Sequence, residues 1–213
     1  MTLDLFAATD PCQPIAPGAV LLHAFALADA EAILADVQAI TARAPFRRML
    51  TPGGQAMSVT MSNSGSLGWI SDRHGYRYVA ADPDTGLPWP PLSPRLLRLA
   101  GAAAAQAGFP DFVPDACLIN RYAPGTRMSL HQDRDEQDFT QPIVSVSLGL
   151  PVTFLFGGLA RSDKAARLML THGDVLVWGG PARLRFHGVR PLLDGQHPAT
   201  GPCRINLTFR KAG

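Results

Sequence analysis

Two histidines, one aspartate and two arginines carry most of the chemistry this chain offers. His131 and Asp133 stand in His131-Gln132-Asp133, and His187 stands in Leu184-Arg185-Phe186-His187-Gly188-Val189. Arg204 and Arg210 bracket Arg204-Ile205-Asn206-Leu207-Thr208-Phe209-Arg210. Two imidazoles and one carboxylate suit a non-haem Fe(II) held on one face with the opposite positions open. HxD is a weak signal alone, but residues i and i+2 of an extended segment share a face. Taken alone, His187 fits a hydrogen-bonded core histidine as well as it fits a ligand. The closing segment is more specific. Period-two alternation sends Arg204, Asn206, Thr208 and Arg210 to one face and Ile205, Leu207 and Phe209 to the other. Inward arginines require an anion, and a dicarboxylate gives each guanidinium a bidentate partner. A solvated edge strand would carry the same residues without one. Asn120 and Tyr122 repeat the alternation on another strand. Together these segments predict an oxygenase using Fe(II), 2-oxoglutarate and O2.

Such a site needs strands to hold it, and the second half of the chain supplies them. The pattern predicts strands over Asp115–Tyr122, Ile143–Leu150, Val152–Phe156, Arg167–Leu170, Val175–Trp178, Leu184–Val189 and Ile205–Arg210, with Gly-Gly and Gly-Asp turns between several of them. No βαβ alternation is present. The fold class expected is mainly β with flanking helices (α+β), an antiparallel double-stranded β-helix or jelly roll. Before it, an irregular lead-in precedes a strand near Val20–Phe25. A helix follows, capped by Asp29 and running through Ala42 with Ile33, Leu34, Val37 and Ile40 on one face. Ser93 caps a second helix, Pro94 occupies its first turn, and Gly108 ends it. Between the helices lies the turn-rich section 46–91, with short strand-like pieces at Met57–Met61 and Tyr76–Tyr78. A connection of that length is usually a functional cover.

Composition narrows the setting. The 213 residues suit one domain, 1–213, with the section 46–91 as a lid and 115–213 as the jelly-roll core. Twenty glycines and 19 prolines, about 18 % of the chain, favour many turns over a helical bundle. A net charge of +2 permits nucleic-acid binding without arguing for it. Cys12, Cys117 and Cys203 are odd in number and show no CxxC spacing, so neither a disulfide framework nor a zinc cluster is expected. Met1-Thr2-Leu3-Asp4 lacks the positive cap of a signal peptide, and Ile15–Ala28 is too short to span a bilayer. A soluble, cytoplasmic protein without a membrane partner is expected, and a monomer.

Several motifs carry a wider resemblance. Cys117-Leu118-Ile119-Asn120-Arg121-Tyr122-Ala123-Pro124-Gly125, Ser129-Leu130-His131-Gln132-Asp133, Ile143-Val144-Ser145-Val146-Ser147-Leu148-Gly149, His172-Gly173-Asp174-Val175 and Arg204-x-Asn206-x-Thr208-Phe209-Arg210 closely resemble the bacterial AlkB proteins. The resemblance covers essentially the whole chain, beginning at Leu3-Asp4-Leu5-Phe6. It implies that His131, Asp133 and His187 bind Fe(II), and that Asn120, Tyr122, Arg204, Asn206 and Arg210 form the 2-oxoglutarate pocket. It further implies direct reversal of N-alkyl damage on nucleobases such as 1-methyladenine and 3-methylcytosine. The alkyl group is hydroxylated and then lost as formaldehyde, and the partner is single-stranded or flipped-out DNA, with RNA a second candidate.

On the substrate side, Trp69 and Tyr76 offer flat partners for a flipped base, with Trp69 stacking on it. Asp135 offers a carboxylate to the positive charge of the alkylated base. On the residues alone, a minor-core role is an alternative for Trp69, and a solvated acid in the run Asp133-Arg134-Asp135-Glu136 explains Asp135 equally. Thr51, Met61, Ser129 and Arg161 match family positions lining the base pocket or its mouth, and Arg127 and Arg134 are candidates for phosphate contacts. Arg134 stands where relatives carry Lys. Two alternatives remain open: an oxygenase of the same fold acting on RNA, protein or a small molecule, and a jelly-roll binding module without metal chemistry.

Overall fold

Strand alternation decides which residues see the interior and which see the helices. The computed structural model describes residues 10–213, so Leu3-Asp4-Leu5-Phe6 lies outside the described residues. Its elements run β1 (Cys12–Ala16), β2 (Ala19–Leu22), α1 (Ala30–Arg43), β3 (Thr60–Gly65), β4 (Gly68–Asp72), β5 (Gly75–Val79), α2 (Pro94–Gln106), β6 (Ala116–Tyr122), β7 (Met128–His131), β8 (Ile143–Gly149), β9 (Val152–Phe156), β10 (Ala166–Leu170), β11 (Val175–Trp178), β12 (His187–Val189) and β13 (Arg204–Arg210). Seven strands form one sheet in the order β1-β2-β11-β8-β13-β6-β3, and four form a second, β10-β9-β12-β7. The two sheets make the jelly roll, and β4 with β5 forms a separate hairpin.

Two apolar cores follow from this arrangement. Ile33, Val37 and Ile40 of α1 and Leu96, Leu99 and Ala103 of α2 pack with Val144, Val175, Leu207 and Phe209 of the large sheet. Leu118, Ile143, Phe154, Phe156, Trp178 and Val189 fill the space between the sheets. In β13 the residues Ile205, Leu207 and Phe209 therefore face the helices, each gaining roughly 1.5–3 kcal/mol from burial. The same alternation turns Arg204, Asn206, Thr208 and Arg210 into the jelly-roll interior, where they line a cavity.

The helices start as their caps direct, with one exception. Ser93 Oγ accepts from Leu96 N and donates to Asp36 Oδ2, so the cap of α2 also ties it to α1. Asp29 precedes α1 but makes no side-chain cap bond, and its backbone is not extended as a capping residue requires.

Strand boundaries depart from expectation where tertiary contacts override local pattern. The strand expected at Val20–Phe25 ends at Leu22, because Ala24 adopts a positive φ of 53° and its N–H donates to Asp174 Oδ1. The strand expected over Met57–Met61 lies instead at Thr60–Gly65, so part of the section 46–91 is an edge strand of the large sheet. Its polar residues tolerate burial because Ser62 and Ser64 donate to Ala44 O and Pro90 O. The strand expected over Leu184–Val189 begins only at His187, since residues 180–185 curl through i to i+3 backbone bonds.

Candidate active site

The metal-ligand candidates converge although 54 positions separate Asp133 from His187. β7 and β12 are antiparallel partners, and their register sets His131 directly opposite His187. Gly188 permits this close approach, since a Cβ there would lie 2.8 Å from Met128 O. The two imidazole rings are 4.4 Å apart between centroids. His131 Nε2 and His187 Nε2 lie 3.6 and 3.7 Å from Asp133 Oδ1. All three donor atoms fall within 4.8 Å of one another, a spacing that one ion can bridge.

The surroundings prepare each donor. His131 Nδ1 is 2.8 Å from Ser129 O and His187 Nδ1 is 3.1 Å from Arg185 O, so an Nδ1–H donating to each carbonyl leaves Nε2 unprotonated for a metal. Burial, and then the neighbouring His131, push His187 down to about 4, so its imidazole is neutral at pH 7. For Asp133, burial alone would raise the carboxyl; the charges of Arg210 and then of the two imidazoles outweigh it and hold the group well below the ordinary carboxylate range. Arg210 donates from Nε and Nη2 to Asp133 Oδ2 at 2.9 and 2.7 Å. The other carboxylate oxygen is thus the one that faces the imidazoles. A facial set of this type fits Fe(II) with open positions.

Along the same strand the second arginine is differently placed. Arg204 is 1 % exposed, lies over the Tyr122 ring at 5.1 Å, and donates from Nη2 to Ser147 Oγ at 3.0 Å. Its Nε and Nη1 and the Asn120 Oδ1 are buried without a hydrogen-bond partner among the described residues. Burial lowers the Arg204 guanidinium below its ordinary value, with Tyr122 opposing the shift. Asn120, Asn206 and Thr208 are joined through Asn206 Oδ1, and Asn206 Nδ2 is spent on Ser145 Oγ and Val146 O. A buried guanidinium with two unpartnered nitrogens and no anion, lining a cavity beside the metal-ligand cluster, is what a dicarboxylate co-substrate requires. The residues present therefore fit both Fe(II) and 2-oxoglutarate.

The substrate-side candidates divide. Trp69 and Tyr76 stack at 5.6 Å and 13° between planes, on one face of the hairpin. Asp135 is exposed, and its Oδ2 accepts the Trp69 Nε1–H at 2.7 Å, so it holds the tryptophan rather than standing as a solvated acid. Arg161 donates to Leu130 O at 2.7 Å and lies over Phe186, which brings it beside His131, while Ser129 is exposed two residues before that histidine. Met61 is 1 % exposed and packed in the inter-sheet core opposite Asn120. Thr51 sits in the turn Thr51–Gln55 and borders the hairpin through Leu50 O, which accepts from Ser71 Oγ. Arg127 and Arg134 are exposed on either side of β7, and neither forms an ion pair among the described residues.

Some residues of the site carried no obvious signal. Ser145 and Ser147 could have been found, because small polar residues at i and i+2 interrupt an otherwise apolar strand. Glu136, Arg183 and Tyr78 could not. Glu136 belongs to an acidic run yet is 6 % exposed, and Arg183 is 3 % exposed.

Comparison with known proteins agrees with this geometry. Residues 18–210 match the 2OG-Fe(II) oxygenase superfamily. The chain is 57 % identical over 212 residues to the alpha-ketoglutarate-dependent dioxygenase AlkB of Escherichia coli K12, covering 99 % of this chain and 98 % of that protein. It is 48 % identical over 183 residues to an AlkB homolog of Caulobacter vibrioides NA1000, covering 85 % and 80 %. Among solved structures, OsALKBH1 superposes with a TM-score of 0.81 at 30 % identity, covering 94 % of this chain and all of that one.

Proposed function

Since this chain belongs to the 2OG-Fe(II) oxygenase superfamily, and within it to the bacterial AlkB family, we propose that it restores N-alkylated nucleobases in DNA by oxidative demethylation. It is an Fe(II)- and 2-oxoglutarate-dependent dioxygenase. The observation that carries the reading is the pairing of a His131–Asp133–His187 cluster with a buried Arg204, two of its nitrogens unpartnered, in one cavity. A binding module has no need for both.

His131, Asp133 and His187 would hold the iron, and Arg204 with Asn120, Tyr122, Asn206 and Arg210 would hold 2-oxoglutarate. When bound, the pair would supply, with O2, oxidation of an N-methyl C–H to N–CH2OH, one oxygen atom entering that hydroxyl and the other the succinate formed as 2-oxoglutarate loses CO2. The N–CH2OH group then loses formaldehyde and leaves N–H, which restores the base. The chain's own residues position the base and keep the site dry. Trp69 has one face occupied by Tyr76 and presents the other to a flipped base. The Asp135 carboxylate that holds Trp69 complements the positive charge of 1-methyladenine and 3-methylcytosine. The section 46–91 acts as the base-recognition cover, Thr51, Ser129 and Arg161 flank the pocket with Met61 packed behind it opposite Asn120, and Arg127 and Arg134 meet phosphates without reading sequence.

The test is mass spectrometry of a short single-stranded oligonucleotide carrying one 1-methyladenine. It is incubated with the protein, Fe(II), ascorbate and 2-oxoglutarate, beside a control lacking 2-oxoglutarate. Loss of one methylene's mass only in the complete mixture is expected. Succinate formed without that loss would redirect the search to another substrate, with a methylated RNA oligomer the first to try.

A further inference from the structure

Asp133 is gripped at two points, and one side chain stands behind both grips. Arg210 holds its carboxylate, and Arg183 donates from Nη1 to its backbone carbonyl at 3.0 Å. Glu136 pairs with each of these arginines, through Oε2 to Arg183 Nη2 at 3.0 Å and through Oε1 to Arg210 Nε at 3.3 Å. All four side chains are at least nine-tenths buried. Two carboxylates and two guanidiniums make a neutral cluster. Without the Glu136 charge, Asp133 would face two buried cations alone, and Arg183 would keep only the backbone carbonyls of Asp133 and Gln141 as hydrogen-bond partners.

The same carboxylate reaches the substrate side. Tyr78 donates its hydroxyl to Glu136 Oε1 at 2.7 Å, and burial raises that phenol well above its ordinary value, so it stays a donor. Tyr78 is the cross-strand partner of Trp69, and Trp69 donates to Asp135. The polar tips of two facing aromatic residues therefore end on adjacent residues of the segment that has just supplied the metal ligand.

We propose that Glu136 is a positioning residue for both halves of the site. Through Arg183 and Arg210 it sets the orientation of Asp133, and through Tyr78 it docks the base-holding hairpin over the metal. The second half rests on the nucleobase reading above; the first does not.

Two variants separate the halves. Co(II) in place of iron is titrated into the metal-free protein and followed by its visible absorption, which reports coordination geometry without turnover. Glu136→Gln keeps the shape and removes the charge. It is expected to weaken Co(II) binding about 10-fold and to shift the spectrum, whereas Tyr78→Phe leaves both unchanged. Binding of a single-stranded 1-methyladenine oligonucleotide to the Co(II)- and 2-oxoglutarate-loaded protein is then read by fluorescence anisotropy. Tyr78→Phe is expected to weaken it roughly 2- to 10-fold, the range of one net hydrogen bond. Unchanged Co(II) affinity and spectrum in Glu136→Gln would overturn the metal half. Oligonucleotide affinity in Tyr78→Phe equal to the parent's would overturn the hairpin half. Failure of the parent itself to bind the oligonucleotide would instead overturn the nucleobase reading and the docking role with it.

Discussion

The two ends of β13 present the same residue type on the same face at the same depth, yet they do different things. Arg210 meets Asp133 and Glu136 and is fully compensated by the protein. Arg204 meets a serine hydroxyl and the face of Tyr122, with no carboxylate among its described contacts and two of its nitrogens unpartnered. Burying a guanidinium is unfavourable by several kcal/mol unless an anion joins it. One end is therefore an ion pair that the protein completes by itself, shaping a metal ligand while its guanidinium still lines the co-substrate cavity. The other is an unfinished pair, completed by the co-substrate.

Breaking the finished pair has the largest consequence. Asp133→Asn removes the charge that compensates Arg210 and a metal ligand together. The metal-free protein is expected to lose roughly 3–5 kcal/mol of stability in urea titrations, and 2-oxoglutarate turnover should fall below detection. Arg204→Met tests the opposite end. No protein carboxylate is left behind, so metal-free stability should stay level or rise. The affinity for 2-oxoglutarate should drop about 30-fold or more, which isothermal titration would read. A stability loss in Arg204→Met as large as that of Asp133→Asn would erase the distinction between the two ends.

A smaller effect sharpens it. In the Co(II)-loaded parent, 2-oxoglutarate at about a hundred times its dissociation constant should add ~2.7 kcal/mol. For a chain of 213 residues that is a rise in Tm of roughly 5–10 °C. At the same concentration Arg204→Met should rise by no more than about 3 °C.

The smallest expected effect is a pH dependence at the Arg204 end. Gly149 is the register partner of Arg204, and its N–H donates to His172 Nδ1. Burial, and then the neighbouring His197, lower His172 below its ordinary value. In acid the unfolded chain takes up this proton before the folded one does. Stability therefore falls as pH drops below the ordinary imidazole range, and is restored above it. His172→Gln should lose less Tm between pH 7.5 and 5.5 than the parent, with no change in Co(II) binding at pH 7.5.

Much of this was legible in advance where pattern and environment agree. β13 alternates strictly, and both of its faces are buried, so its period survives in the sequence. The Ser93–Pro94 start of α2 is local chemistry that no distant contact alters. β3 begins three residues and ends four beyond the strand expected over Met57–Met61 because its polar composition suits a turn, and only pairing with β6 and buried hydroxyl bonds make it a strand. Glu136 looked like part of a solvated run. Its burial depends on Arg183 and Arg210, 47 and 74 positions onward, which no local window contains.

The donor types, their alternation and the face each would occupy were determined by the sequence, because side-chain direction in a strand depends only on parity. Which arginine is already paired, and which waits for a ligand, was decided by the tertiary structure alone. Parity can turn two residues inward, but their partners are chosen by strand order and register. Those brought Asp133 across 77 positions to Arg210 and left Arg204 facing an open cavity.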